Sequence, residues 1–350
     1  FDEIRRSIDK ELDSSLRAER GQFMTNSSIC SFMSGLFELS GFEDKVRILD
    51  PGAGIGSLTA SLVEKISSVL GDIKLEVNAY EIDSVMRSGL LQTSARLSED
   101  FAAKIRIIPD DFVEHSQRVL GPSLFEENID GFSDYDLAIL NPPYKKISSD
   151  SRHRKLLSSL SIETSNLYSA FMALSILHLR EGGQMVAIVP RSFCNGTYFR
   201  LFRAFLRSNF KINRIHLFDS RKDAFKENQV LQENMIISGF KQTSCQVSEG
   251  EVLISRSSND RFADCEFLNV SEDILWGKDR EGFLFIPSTL SEASSIGLMS
   301  SLPCSLLDLG VSVSTGPVVA HRLRSHFRAE SGIPMVYCSS VKNGLAQSAV

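Results

Sequence analysis

Val46-Arg47-Ile48-Leu49-Asp50-Pro51-Gly52-Ala53-Gly54-Ile55-Gly56 is the stretch whose reading decides the fold. An apolar run of strand length passes directly into glycines at alternate positions, and a helical pattern follows from Ser57 to about Leu70. Strand, glycine loop and helix in that order form the opening unit of a parallel α/β sheet. The glycines let a ligand approach the backbone closely. Their spacing, G-x-G-x-G, departs from the G-x-G-x-x-G of dinucleotide folds and disfavours a nicotinamide dehydrogenase. Taken alone, the loop also suits a tight connection with no ligand.

The same alternation continues outward. Leu75–Tyr80 predicts a strand ending in Glu81-Ile82-Asp83, with a helix through about Leu97. Lys104–Ile108 predicts a third strand, ending at Pro109-Asp110-Asp111-Phe112, and Tyr135–Leu140 a fourth that delivers Asn141. A helix over 166–179, a strand over 184–189, a helix over 197–208 and strands over 212–218 and 234–240 follow. Upstream, residues 1–20 read as a charged amphipathic helix, Gly21–Ser28 as a break, and 28–39 as a helix. The fold class is therefore α/β, a doubly wound, mostly parallel Rossmann-like sheet. Past residue 245 the helical periodicity fades and short apolar runs appear at 251–255, 283–286 and 335–337. The expected division is a catalytic domain over 1–245 and the start of a separate β-rich region over 246–350.

Composition excludes several classes. The 350 residues are 42% hydrophobic with mean hydropathy −0.04, an ordinary globular balance. No run approaches the roughly 20 apolar residues of a membrane span, and the charged N-terminus has no leader-like apolar segment. The chain starts at Phe1 and stops at Val350 without a terminating feature, which reads as a fragment or trimmed chain. Six scattered cysteines (Cys30, Cys194, Cys245, Cys265, Cys304, Cys338) show no metal spacing. They point to free thiols in a reducing cytoplasm, with no metal site. The net charge of −6 hides a basic loop: Lys145, Lys146, Arg152, Arg154 and Lys155 stand against Asp150 alone. Such a run most often marks a solvated face, but this one follows a candidate site directly and points to a polyanion.

That candidate site is Asn141-Pro142-Pro143-Tyr144. In open α/β sheets ligands bind where strands end. Pro142 and Pro143 fix their own φ and bias the preceding residues toward extended backbone. The Asn141 amide oxygen and the Pro142 carbonyl then offer two acceptors beneath the flat Tyr144 ring, an arrangement suited to a planar ring bearing an amino group. The bland alternative is a strand-ending turn with an incidental tyrosine. Glu81, at the end of the second strand, can accept from both hydroxyls of a ribose. Asp111 can accept from an adenine amino group or simply cap a helix.

Taken together the order is Gly-Gln-Phe-x-Thr, Asp-Pro-Gly-x-Gly-x-Gly, Tyr-Glu-x-Asp, Asp-Asp-Phe and Asn-Pro-Pro-Tyr. It resembles the γ-class N6-adenine DNA methyltransferases, and among them the restriction-system modification enzymes of the PstI/BsuBI kind. The closer likeness rests on Asn141–Ser148, Glu163-Thr164-Ser165-Asn166-Leu167-Tyr168, Pro190–Gly196, Val230-Leu231-Gln232-Glu233-Asn234 and Val311–Gly316. It spans roughly residues 20–320.

The resemblance implies S-adenosylmethionine as cofactor and double-stranded DNA as partner. A cognate restriction endonuclease, a prokaryotic cytoplasm and the site CTGCAG follow in the same way. Phe23 and Thr25 are expected to help hold the cofactor, Asp50, Gly52, Ala53, Gly54 and Gly56 to line its methionine end, Glu81 its ribose, and Asp111 and Phe112 its adenine, with Ile82 a further cofactor contact. Asn141 and Pro142 are expected to bind the target amino group, with Pro143 completing the motif, while Tyr144 and Phe225 hold the flipped base. Lys145, Lys146, Arg152, Arg154 and Lys155 are expected on DNA phosphates, and 246–350 as part of the target-recognition region. The chain departs from the family in having Asn26 where proline is usual. Two other readings share these motifs: a protein-glutamine methyltransferase, which also uses Asn-Pro-Pro-Tyr, and a DNA-binding subunit that kept the fold without catalysis.

Overall fold

In the computed structural model, β1 (Lys45–Pro51) buries Val46, Ile48, Leu49 and Asp50 and runs into the glycine loop. The structure describes residues 25–101, 103–121, 134–218, 233–242, 250–258, 262–277, 282–306, 308–311, 341–342 and 345–346. The expected helix over 1–20, Phe23, Phe225 and the run at 335–337 lie outside the described residues.

Around β1 the chain alternates as its apolar pattern requires. Helix α1 (Ser27–Ser34) precedes β1, and α2 (Ser57–Leu70) follows it, burying Leu58, Leu62, Val63 and Ile66. Next come β2 (Lys74–Tyr80), α3 (Ser84–Asp100), β3 (Ala103–Ile108), α4 (Phe112–Leu120) and β4 (Tyr135–Leu140). After Asn141–Tyr144 come α5 (Arg152–Ser159), α6 (Leu167–His178) and β5 (Leu179–Pro190), then α7 (Arg200–Asn209), β6 (Phe210–Phe218) and β7 (Asn234–Lys241). The sheet order is β3-β2-β1-β4-β5-β7-β6, continued by two further strands. From β3 to β5 every neighbour is parallel, and β7 pairs antiparallel with both β5 and β6. Strand order reverses between β1 and β4, the place where doubly wound sheets bind ligands. Two apolar clusters cover the two faces, one holding α6 with Leu140 and Met235, the other α1 and α2 with Ile139, Ile188 and Ile236.

Three expectations need correction. The chain does not leave the sheet at 245. Strand β8 (Glu251–Ser257) pairs parallel with β6, and β9 (Glu266–Ser271) pairs antiparallel with β8. Both bury residues against the first sheet (Val252, Ile254, Val270), so the first compact unit runs to Ser301. That unit also holds α8 (Glu272–Trp276) and α9 (Leu290–Ser300). Residues 283–286 form no strand; Leu284 N–H donates to the Cys194 carbonyl and Phe285 N–H to that of Leu275. The helix expected over 28–39 stops at Ser34, where Gly35 N–H donates back to Ser31. The second unit, Leu302–Val350, contains an antiparallel pair, β10 (Val341–Lys342) with β11 (Leu345–Ala346).

Candidate active site

The carboxyl ends of β1, β2, β3 and β4 open onto a cavity of about 730 Å³. Its wall includes Thr25, Gly52, Ala53, Gly54, Glu81, Ile82, Asp111, Phe112, Asn141 and Pro143, residues drawn from five separated motifs of the sequence. The topology brings them together because each ends a strand or leads into the helix behind it.

The glycine loop is shaped from beneath. Gly52 and Ala53 N–H groups both donate to the Tyr80 carbonyl, at 2.9 and 2.8 Å, tying the loop to the end of β2. Gly54 has φ +59 and faces open space where a side chain would begin, so the backbone itself forms the wall there. Gly56 has φ +85, and a Cβ on it would lie 2.8 Å from Leu90; this glycine serves packing against α3 and does not line the cavity. Asp50 likewise lies below the loop. It is fully buried, its Oδ2 accepts from the Thr59 hydroxyl at 2.6 Å, and its Oδ1 has no hydrogen-bond partner. Burial, reinforced by the nearby Glu81 charge, raises its pKa to about 7 against the opposing Thr59 bonds.

Glu81 braces the loop to the next turn. Its Oε2 accepts from Gly54 N–H at 2.9 Å and its Oε1 from Asp83 N–H at 2.8 Å, leaving lone pairs on both oxygens. Burial lifts its pKa above the ordinary carboxylate value, against those two N–H groups. Ile82 is 61% exposed beside it, an apolar surface at the mouth. Phe112 is 2% exposed and packs on Tyr80 and Phe171, so it floors the cavity.

Asp111 is both a helix cap and part of the cavity wall. It caps α4, its Oδ1 accepting from Val113 and Glu114 N–H groups. Its Oδ2 meets His153 Nε2 at 3.1 Å. Burial opposes the charge on Asp111, but the histidine and the helix N–H groups together hold its pKa below the ordinary value. The Asp111 hydrogen bond raises that of His153. His153 had been hidden inside a charge run, and no spacing rule relates positions 111 and 153.

Asn141 follows β4 at the cavity edge. Its Nδ2 donates to Thr25 Oγ1 at 3.0 Å, which turns Oδ1 the other way. The Tyr144 hydroxyl lies 3.1 Å from that Oδ1 and 3.3 Å from the Ile188 carbonyl, and its ring stands edge-on to Tyr168. Asn26, where the family has proline, caps α1 by accepting from Ile29 N–H at 2.9 Å; that bond explains why an asparagine fits there.

The basic loop divides. Lys145, Lys146 and Lys155 are exposed, and the first two border the cavity. Arg154 is bound within the protein to Glu163 at 2.7 Å and to the Thr164 carbonyl, and Arg152 pairs with Glu114 at 3.2 Å. Arg154 therefore holds the loop together, in contrast to the phosphate role expected of it. The segment is further pinned by Ile147 N–H to the Ser165 carbonyl and Leu167 N–H to that of Lys145. Among the described residues no group of His, Cys, Asp and Glu is arranged to hold a metal ion, and no helix is long and apolar enough to cross a membrane.

A sheet of this order has the fold of the S-adenosylmethionine-dependent methyltransferases. A Listeria monocytogenes structure described as a class I member shares it with a TM-score of 0.53 at 18% identity, over 70% of this chain and 68% of that one. Residues 60–225 match the Eco57I restriction-modification methylase family. The type II methyltransferase M.BsuBI of Bacillus subtilis is 42% identical over 92% of this chain, and M.PstI of Providencia stuartii 38% over 96%. The chain spans 63% and 66% of the lengths of those two relatives.

Proposed function

We propose that this chain carries the catalytic part of an adenine-specific DNA methyltransferase, the modification enzyme of a type II restriction-modification system. The observation that carries the reading is Asn141, placed at the end of β4 on the rim of the cavity with its amide oriented by Thr25. The residues present fit S-adenosylmethionine: a bare backbone wall at Gly54, lone pairs on Glu81, an apolar Ile82 and an anionic Asp111 along one cavity. Glu81 would hold the ribose, Asp111 with Ile82 the adenine, and the glycine loop the methionine end. When bound, that cofactor supplies an electrophilic methyl group.

The chain's own residues do the rest. An exocyclic adenine nitrogen is a weak nucleophile because its lone pair is delocalised into the ring. Asn141 Oδ1 and the Pro142 carbonyl accept its two hydrogens, favour pyramidal geometry and stabilise the positive charge that develops on it. Fixed positioning lowers the barrier further. A base inside a duplex cannot reach this edge, so it must be extruded, and the Tyr144 ring offsets part of the lost stacking. The partner is double-stranded DNA, with CTGCAG as the site we expect, in a prokaryotic cytoplasm beside an endonuclease of the same specificity. Radiolabelled methyl transfer tests this: incorporation into CTGCAG duplexes supports it, and transfer to a glutamine-bearing protein in place of DNA overturns it.

A further inference from the structure

Asn234 is the last residue of the Val230–Asn234 motif. It opens β7 opposite Pro190, is 4% exposed, and neither Oδ1 nor Nδ2 of its amide has a hydrogen-bond partner. A buried amide in that condition is less favourable for folding than an apolar group of the same shape. Asn78, buried elsewhere in the sheet, at least gives its Nδ2 to the Tyr135 hydroxyl at 2.7 Å. The amide of Asn234 thus costs stability, and a ligand would account for its presence.

Its place in the fold indicates which ligand. Strand β5 lies between β4 and β7, so Asn141 after β4 and Asn234 at the start of β7 flank the carboxyl end of β5. Ile139, Ile188 and Ile236 belong to one core cluster, and alternate side chains on a strand share a face. Asn141, two residues past Ile139, and Asn234, two before Ile236, therefore point to that same face. The Asn141 bond to Thr25 agrees independently, because Thr25 leads into α1, which packs there. Strands about 4.8 Å apart leave about 10 Å between the two positions across β5, the width of a planar base with a hydrogen bond at each side.

Resting on the DNA reading, we propose that Asn234 recognises the flipped adenine: Nδ2 donates to an unprotonated ring nitrogen while Asn141 and Pro142 hold the amino group. A side-chain amide donor complements adenine's ring acceptors and rejects a ring position that carries hydrogen.

The test is single-turnover methylation of duplexes whose target is adenine or its 1-deaza, 3-deaza or 7-deaza analogue, by wild type and Asn234→Leu. The variant is expected to melt no lower than wild type and to bind S-adenosylmethionine normally, yet to methylate adenine at least about tenfold more slowly. One deaza target should cost the wild type a similar factor, and Asn234→Leu should no longer distinguish that target from adenine. Should Asn234→Leu not fold, Asn234→Ala removes the amide without adding bulk and carries the same comparison. Normal rates in the variant, or analogue penalties that persist unchanged, overturn the inference while leaving the proposed function intact. A wild type inactive on every duplex overturns both.

Discussion

Asp50 shows how one residue beneath the glycine loop can be unfavourable for the fold. Its carboxyl is buried with one oxygen unpartnered, and its pKa rises from 3.8 to about 7. An acid with a raised folded pKa loses stability as pH climbs from its unfolded value to its folded one, because the unfolded chain releases the proton first. Asp50→Asn should therefore melt higher than wild type above about pH 7, and the difference should shrink as pH falls toward 4. Thermal melts across that range check it; a constant difference would contradict the buried acid. Tyr144 gives a second residue-level expectation. If its ring supports an extruded base, Tyr144→Ala should weaken productive DNA binding by about 1–3 kcal/mol. The loss should be smaller on a mismatched target, where part of the extrusion cost is already gone. Affinity measured on matched and mismatched duplexes decides this, and an equal loss on both would argue for a merely structural ring. Of these residues, Asn141, Tyr144 and Glu81 were legible in the sequence because short motifs hold them. His153 and the Asn141–Thr25 bond were not, since each joins positions that only the topology brings together.

At the scale of elements, the start of α5 is latched to the start of α4 by His153–Asp111 and Arg152–Glu114. The groups facing His153 are Asp111, Glu114 and Arg152. The Asp111 bond raises the pKa of His153, so the latch is fully present below the unfolded histidine value and is lost as pH rises through the higher folded one. Asp111, with its pKa lowered, contributes fully above the ordinary carboxylate value and loses its share as pH falls from there through its lower folded one. Amide exchange over 145–159, corrected for intrinsic rate, should thus speed up between pH 6 and pH 9, and His153→Ala should remove the dependence. Protection that does not change with pH would show that the other contacts hold the segment. Strands β1 to β4 were readable as short apolar runs between Gly, Asp or Asn breaks, and α2 and α3 as the helices between them, whereas α4 was not expected. The path after 245 was misread for a physical reason: β8 and β9 are short and flanked by polar residues, like strands of a separate sheet, and only their pairing with β6 shows that they extend the first.

For the molecule as a whole, the net charge of −6 means that attraction to a polyanion would have to come from local patches. Lys146 and Lys155 are exposed on the basic loop, whereas Arg154 is engaged internally. Replacing both lysines by alanine should weaken binding to every DNA sequence alike and flatten the salt dependence by about 0.9 per lost phosphate contact. Equal slopes for variant and wild type would remove this loop from the DNA interface. The central claim is that Asn141 delivers an adenine amino group to a methyl donor held in the neighbouring cavity. Its most direct test counts N6-methyladenine by nucleoside chromatography after single turnover on a CTGCAG duplex, with S-adenosylmethionine affinity measured on the same preparations. Asn141→Ala should lose about two to three orders of magnitude in rate and keep its cofactor affinity. Near-normal N6-methyladenine formation by that variant, or none by the wild type, would contradict the account.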